Sequence, residues 1–137
     1  MSRLSYTYSC LVPFHLADPA GIVFFGNVFT LMHQAFEHFV IHTLDCSWNQ
    51  WFQNSEWIVP IRHAQADYHL PIHAGKPCTI ELFVHSISTS SFTLESYIKQ
   101  EGEICCSIKT IHVFCNRTTK KKIAIPENFS TLLLEKI

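Results

Sequence analysis

The sequence predicts an α+β fold in which one long helix lies against a strongly curved antiparallel sheet. Three observations predict it. Apolar residues alternate over 4–14, switch to helical three-and-four spacing over 25–44, and then return to extended patterning beyond residue 57. The later extended stretches are joined by short polar or glycine-containing turns, which connect antiparallel neighbours. No repeat, linker or low-complexity segment divides the 137 residues, so a single domain over 1–137 is expected.

In the first stretch Leu4, Tyr6, Tyr8, Cys10, Val12 and Phe14 fall on one side, with Ser5, Thr7 and Ser9 on the other, and Pro13 marks its end. A loop around Asp18 follows. Pro19 disfavours helix at Asp18 and so sets the acid on extended backbone. Gly21 permits a positive φ or a close approach of a ligand to the chain. Over 25–44, Val28, Met32, Ala35, Phe36 and Phe39 form an apolar helical stripe, while Thr30, His33, Gln34, Glu37 and His38 lie mostly elsewhere. Residues 45–54 carry Trp48, Trp51 and Phe52 and read as a short second helix or a packed loop.

Residues 58–72 form a long extended candidate interrupted by Pro60 and Pro71, and 73–77 form a turn. Strands are expected over 78–88, 91–100 and 103–115, separated by the polar turn 88–91 and the tight Glu101-Gly102 turn. Residues 116–120 read as a hairpin loop into a short last strand over 121–125. A C-terminal helix over 126–137 starts at Pro126, with Glu127 in its first turn.

A formal net charge of −1 argues against a nucleic-acid binder. No apolar run reaches membrane-spanning length and no signal-peptide pattern opens the chain, so a cytoplasmic protein with no membrane partner is expected. Hydrophobic residues make up 47% and charged residues 15%, an excess that a subunit interface would absorb. Cys10, Cys46, Cys78, Cys105, Cys106 and Cys115 show no metal-binding spacing and read as reduced, buried small hydrophobes. His38 and His42 lie one helical turn apart, and His69 and His73 fall on one side of an extended stretch. Neither pair comes with a zincin glutamate or matched cysteines, and no metal is expected.

The chemistry concentrates at Asp18. It is an acid placed shortly before a helix start, where unpaired N–H groups and the helix dipole favour negative charge. A reaction that develops negative charge on a carbonyl oxygen uses both features, the N–H groups for the oxygen and the carboxylate for the attack.

The motif Asp18-Pro-Ala-Gly-Ile-Val-Phe-Phe25, the helix entry Gly26-Asn27 and the strand order together resemble the hotdog-fold acyl-CoA thioesterases of the 4-hydroxybenzoyl-CoA thioesterase type. Phe24-Phe-Gly-Asn27, Met32-His-Gln-Ala35 and Val59-Pro-Ile-Arg-His-Ala64 look most like the 1,4-dihydroxy-2-naphthoyl-CoA thioesterases, which serve phylloquinone and menaquinone synthesis. The resemblance implies that Asp18 is the catalytic nucleophile or general base, and that the Phe25 backbone N–H polarises the thioester carbonyl. It places Gly21, His33, Val59 and His63 against the substrate, His33 toward an aryl hydroxyl and Val59 where a relative has a hydroxyl near the ring. Residues 57–63 become a wall contributed by a second subunit of a homodimer or homotetramer. Where a relative holds coenzyme A phosphates with basic residues, this chain has Ser88, Thr89 and Ser90; Arg62, Lys76 and Lys120–Lys122 are the other candidates. Coenzyme A is part of the substrate, and no further cofactor is implied. Glu37, on a helix where another hotdog branch has its acid, is expected to be solvated or to have a structural hydrogen-bonding role. Two alternatives stay open: a short or medium aliphatic acyl-CoA or acyl carrier protein as substrate, and a non-catalytic acyl-CoA-binding protein.

Overall fold

A computed structural model describes residues 3–137. Its strands are β1 (Leu4–Leu11), β2 (Trp57–Ile58), β3 (Ile61–Tyr68), β4 (Pro77–Ile87), β5 (Ser91–Gln100), β6 (Glu103–Val113) and β7 (Cys115–Asn116). Its helices are α1 (Asn27–His42), α2 (Trp48–Phe52) and α3 (Glu127–Leu134), with a single 3-10 turn at Phe14–Leu16. Five strands form one sheet in the order β1-β4-β5-β6-β3, every neighbour antiparallel, and β2 and β7 form a separate ladder. The expected arrangement, one long helix held against an antiparallel sheet, is the observed one, and the main sheet has five strands.

Alternation along the central strands explains which face takes the helix. Cys78, Ile80, Leu82 and Val84 of β4, Phe92, Leu94 and Ile98 of β5, and Cys106 and Ile108 of β6 are buried in one cluster with Val28, Leu31, Met32, Ala35, Phe36, Phe39 and Val40 of α1. Each large side chain there contributes about 1.5–3 kcal/mol by leaving water. The outer face carries polar contacts instead, an ion pair of Lys99 with Glu81 at 2.8 Å and an approach of the His85 ring to the Glu95 carboxylate at 3.2 Å. A second aromatic cluster joins Trp51, Trp57, Phe114 and Phe129 and anchors α2 and α3 to the β2–β7 ladder.

Several boundaries differ from the sequence reading. Leu4 is 49% exposed rather than inward, because the β1–β4 register shifts between Leu4 and Tyr6. The helix begins at Asn27, not 25; residues 24–27 first make a turn in which the Asn27 N–H donates to the Phe24 carbonyl at 2.8 Å. The stretch 58–72 splits at Pro60 into β2 and β3, and 69–72 leaves the sheet, so His69 and His73 share no strand. The expected strand 121–125 is reduced to one bridge, Cys115 to Lys122, because Ile123 and Ile125 donate instead to the Phe114 and Thr89 carbonyls. The segment 45–54 resolves into α2, started by a Ser47–Gln50 capping box. All six cysteines are free; five are buried and Cys10 is half-buried. Burial foremost pushes the Cys78 thiol up to about 12 and the Cys106 thiol up to about 11. These thiols are packing groups rather than nucleophiles.

Candidate active site

The Asp18 loop is a small hairpin closed by main-chain bonds. The Gly21 N–H donates to the Asp18 carbonyl at 3.0 Å and the Asp18 N–H to the Ile22 carbonyl at 2.9 Å, with Ala17 bridged to Val23. Pro19 presets the backbone of the turn, and Gly21 takes φ +78°, which reverses the chain so that Ile22 faces Asp18. A Cβ at Gly21 would meet nothing within 4 Å, so the glycine is required for its conformation rather than for space. The Ala20 N–H donates to one carboxylate oxygen of Asp18 at 2.8 Å, which fixes the side chain and leaves the other oxygen without a protein donor among the described residues.

The hairpin is tied to the rest on two sides. The Val23 N–H donates to the Ile72 carbonyl at 2.8 Å and the Ala74 N–H to the Gly21 carbonyl at 3.0 Å. The Phe24 N–H and the Asn27 amide both donate to the Leu16 carbonyl, at 3.0 and 2.9 Å. Among the described residues the N–H groups of Phe25 and Gly26, at the tip of α1, have no acceptor. The peptide that joins them is held from outside: the Tyr68 hydroxyl, from the end of β3, donates to the Phe25 carbonyl at 2.6 Å. Burial, and secondarily Cys106, push the Tyr68 phenol above its ordinary range, so it keeps its proton. Beside this tip lies an apolar cleft of about 300 Å³, lined by Ile22, Val23, Phe25, Val28, Tyr68 and Leu70 among others. Asp18 sits half-buried on the same hairpin and is not a wall of that cleft within one chain.

The remaining expected site residues gather elsewhere. His33 packs its ring against Phe36 and Phe52 and approaches Glu37 at 3.4 Å. Glu37 also accepts the Trp48 indole N–H at 2.6 Å, the structural one of the two roles expected of it. Val59 lines a small cleft of about 230 Å³ with Trp51, Phe52, Ile58 and Pro60. His63 meets Gln65 at 3.0 Å on β3, and Arg62 donates to the Cys115 sulfur at 3.5 Å. The Ser88 hydroxyl is engaged with that of Ser91 at 2.8 Å, while the Thr89 and Ser90 carbonyls accept from Ile125 and Phe114. Lys76 stands at the Asp18 end, 3.9 Å from Glu101, whereas Lys120–Lys122 lie beside Cys115 and Asn116. His38 and His42 stack on each other and on Tyr8 and Tyr6.

Strand β4 measures the separation of the two groups. Its first residues pair with the end of β1 next to the Asp18 loop, and its last enters the Ser88 turn. Ten steps at about 3.3 Å put the two ends roughly 33 Å apart. One chain therefore brings Asp18, Gly21 and Phe25 together, and Val59, Arg62, His63, Ser88, Thr89 and Ser90 together, but does not join the two groups. Tyr68 and Gln100 are not among the site residues expected from the sequence. Gln100 had a readable signal: it is a long polar side chain in phase with Phe92, Leu94 and Ile98 on the inward face of β5.

Comparison with known proteins bears on this arrangement. The model of the thioesterase-like superfamily matches residues 12–133. A 1,4-dihydroxy-2-naphthoyl-CoA hydrolase from Trichodesmium erythraeum is 28% identical over 134 residues, 96% of each chain. The crystal structure of a 1,4-dihydroxy-2-naphthoyl-CoA thioesterase from Synechocystis superposes with a TM-score of 0.86 at 23% identity, covering 95% of this chain and 96% of that one. A Staphylococcus aureus protein solved in complex with CoA gives a TM-score of 0.85 at 17% identity, covering 99% and 85%. The fold built around the Asp18 hairpin and the α1 tip is thus that of the matched family: this chain belongs to the thioesterase-like superfamily and is a thioester hydrolase of the hotdog type.

Proposed function

We propose that this protein hydrolyses an aromatic acyl-CoA, of the 1,4-dihydroxy-2-naphthoyl-CoA kind, with Asp18 as the attacking or activating carboxylate and the Phe25 N–H as the donor to the thioester oxygen. The observation that carries the reading is the unpaired Phe25 N–H at the α1 tip, beside an apolar cleft and on the same hairpin that fixes Asp18. Attack on the thioester carbon pushes charge onto its oxygen, and one placed N–H contributes ~10²–10³ in rate. Asp18 either bonds to that carbon and expels the thiolate, leaving an anhydride for water to open, or takes a proton from a water that attacks directly. In both routes the thiolate leaves and is protonated. Neither requires a metal or redox cofactor.

The aromatic acyl group is supported by the names of the relatives and by the cleft, whose about 300 Å³ lies at the lower end of the range for small-molecule sites. Binding of the coenzyme A part is supported by the CoA complex of a structural neighbour. The reading includes a homodimer or homotetramer, which the separation of the two groups of expected site residues supports. Strand β3 is a sheet edge, and nearly every residue along it is exposed. Antiparallel pairing of two β3 edges about a two-fold axis sets the Ile61–His63 end of one copy beside the Tyr68 and Phe25 of the other. That brings Val59, Arg62 and His63, with the Ser88–Ser90 turn behind them, toward a cleft that one chain leaves open.

The test is free-thiol release from naphthoyl-, benzoyl- and aliphatic acyl-CoA by wild type and Asp18→Ala. The expected result is fastest turnover of the aryl substrates, lost in the variant. Near wild-type rates in Asp18→Ala would end the mechanism. Preference for aliphatic chains or an acyl carrier protein would replace the substrate. Calorimetric binding without thiol release would make the protein a binder rather than a hydrolase of these compounds.

A further inference from the structure

Gln100 closes β5 and is 7% exposed, one of few polar side chains so deeply buried. Its carboxamide oxygen accepts the His73 N–H at 2.8 Å, and its amide nitrogen donates to the His73 carbonyl at 2.9 Å. Both polar groups of one residue's main chain are thereby taken up by one side chain. The reason lies in the neighbouring pairing. Ile22 and His73 face each other in a bridge whose hydrogen bonds run through their flanking residues, from Val23 to Ile72 and from Ala74 to Gly21. In such a bridge the N–H and carbonyl of His73 itself point away from Ile22. Gln100 meets them there, standing in for a third strand on the far side of residues 72–74.

The chain of contacts then runs without a gap to the acid. Gln100 holds His73, the 72–74 segment holds Gly21 and Val23, and Ile22 accepts the Asp18 N–H at 2.9 Å. A carboxamide is the side-chain group suited to the task, since it donates and accepts side by side. We propose that Gln100 is a positioning residue: it sets the placement of the Asp18 hairpin on the sheet, and through it the position of the carboxylate relative to the α1 tip. This rests on the reading of Asp18 as the reacting carboxylate.

Two variants test it. Gln100→Met keeps length and removes both hydrogen bonds. Because displacements of about 1 Å cost up to ~10² in rate, kcat is expected to fall roughly tenfold or more with KM within about twofold. Gln100→Glu supplies a signature that loss of packing does not. Its neutral carboxyl both donates and accepts, as the carboxamide does, whereas the ionised form only accepts and repels the His73 carbonyl. The kcat of Gln100→Glu, taken as a ratio to wild type at each pH, is expected to rise as pH falls. The ionisable side chains that line the adjoining cleft, His73, Lys76, Glu101, Glu103 and Cys105, are common to both proteins, so the ratio removes their shared effect. Wild-type kcat in a folded Gln100→Met, or a ratio for Gln100→Glu that is flat with pH, overturns the proposal. Asp18→Ala, assayed alongside, separates the two readings: if it is inactive while Gln100→Met is unimpaired, only the role of Gln100 falls; if it is active, the Asp18 reading falls first.

Discussion

The two ends of β4 are built on opposite principles. At the Asp18 end the loop is held by main-chain bonds, within the Ala17–Val23 hairpin and to the Ile72–Ala74 segment and Leu16, while among the described residues the Phe25 and Gly26 N–H groups at the α1 tip have no acceptor. At the Ser88 end several polar groups are already engaged in attachment: the Ser88 hydroxyl with Ser91, the Thr89 and Ser90 carbonyls with Ile125 and Phe114, Arg62 with Cys115. Aromatic packing fills the space between. The first end leaves donors ready for a developing charge. The second presents exposed side chains, Arg62, Ser88 and Thr89 among them, of which Arg62 and Ser88 already have partners within the chain. A residue type such as serine or arginine says little about binding until its existing partners are known.

The largest effect expected from breaking this contrast is at the first end. Asp18→Ala is predicted to reduce kcat ~10²–10⁴-fold, the range for removal of a positioned acid–base group, with the fold unchanged by circular dichroism. A rate loss confined to KM would shift the role from chemistry to binding.

The next effect belongs to the interior beside the second end. His112 is fully buried between the rings of Phe36 and Phe92, with Nε2 2.8 Å from the Thr110 hydroxyl and Nδ1 unpartnered. Burial first, and His33 second, push its pKa down to about 3 from the ordinary 6.5. Below pH 6.5 the unfolded chain takes a proton that the folded chain refuses, so stability falls with pH until the folded group itself titrates near 3. The slope approaches about 1.4 kcal/mol per pH unit. Denaturant melts at pH 7 and 5 are predicted to differ less for His112→Gln than for wild type; equal differences would mean that other groups dominate.

Tyr68→Phe removes one hydrogen bond at the α1 tip. With a net value of about 1 kcal/mol, it is predicted to lower Tm by a few degrees and kcat by up to about fivefold. An unchanged kcat would show that the Phe25–Gly26 peptide is held well enough by the helix itself. The smallest effect sharpens the contrast from the other side. Ser88→Ala is predicted to leave KM for the acyl-CoA within about twofold, because its hydroxyl already serves Ser91. A large rise in KM would make this turn a phosphate contact after all.

The strands, the long helix and the Asp18 turn were legible because each rests on local periodicity or on a proline and glycine at fixed spacing. What was not legible depends on partners far along the chain. The shift at Leu4 arises from pairing with β4, 79 residues away at Phe83 by register. The last strand failed because Ile123 and Ile125 found carbonyls of other segments. Tyr68 reaches a carbonyl 43 residues earlier and Gln100 a peptide 27 residues earlier. No spacing rule encodes those distances. Nor does the sequence reveal that the hydroxyl of Ser88 is already occupied.

The exposed ring of Phe25 has a practical consequence. It is 65% exposed, yet the atom proposed to matter is its main-chain nitrogen. Conventional side-chain scanning is blind to such an atom: alanine, leucine or serine at this position all keep the same donor. Only proline, or synthesis of the chain with an ester in place of that amide, deletes it, so a catalogue of side-chain substitutions would pass over half of the machinery without registering its existence.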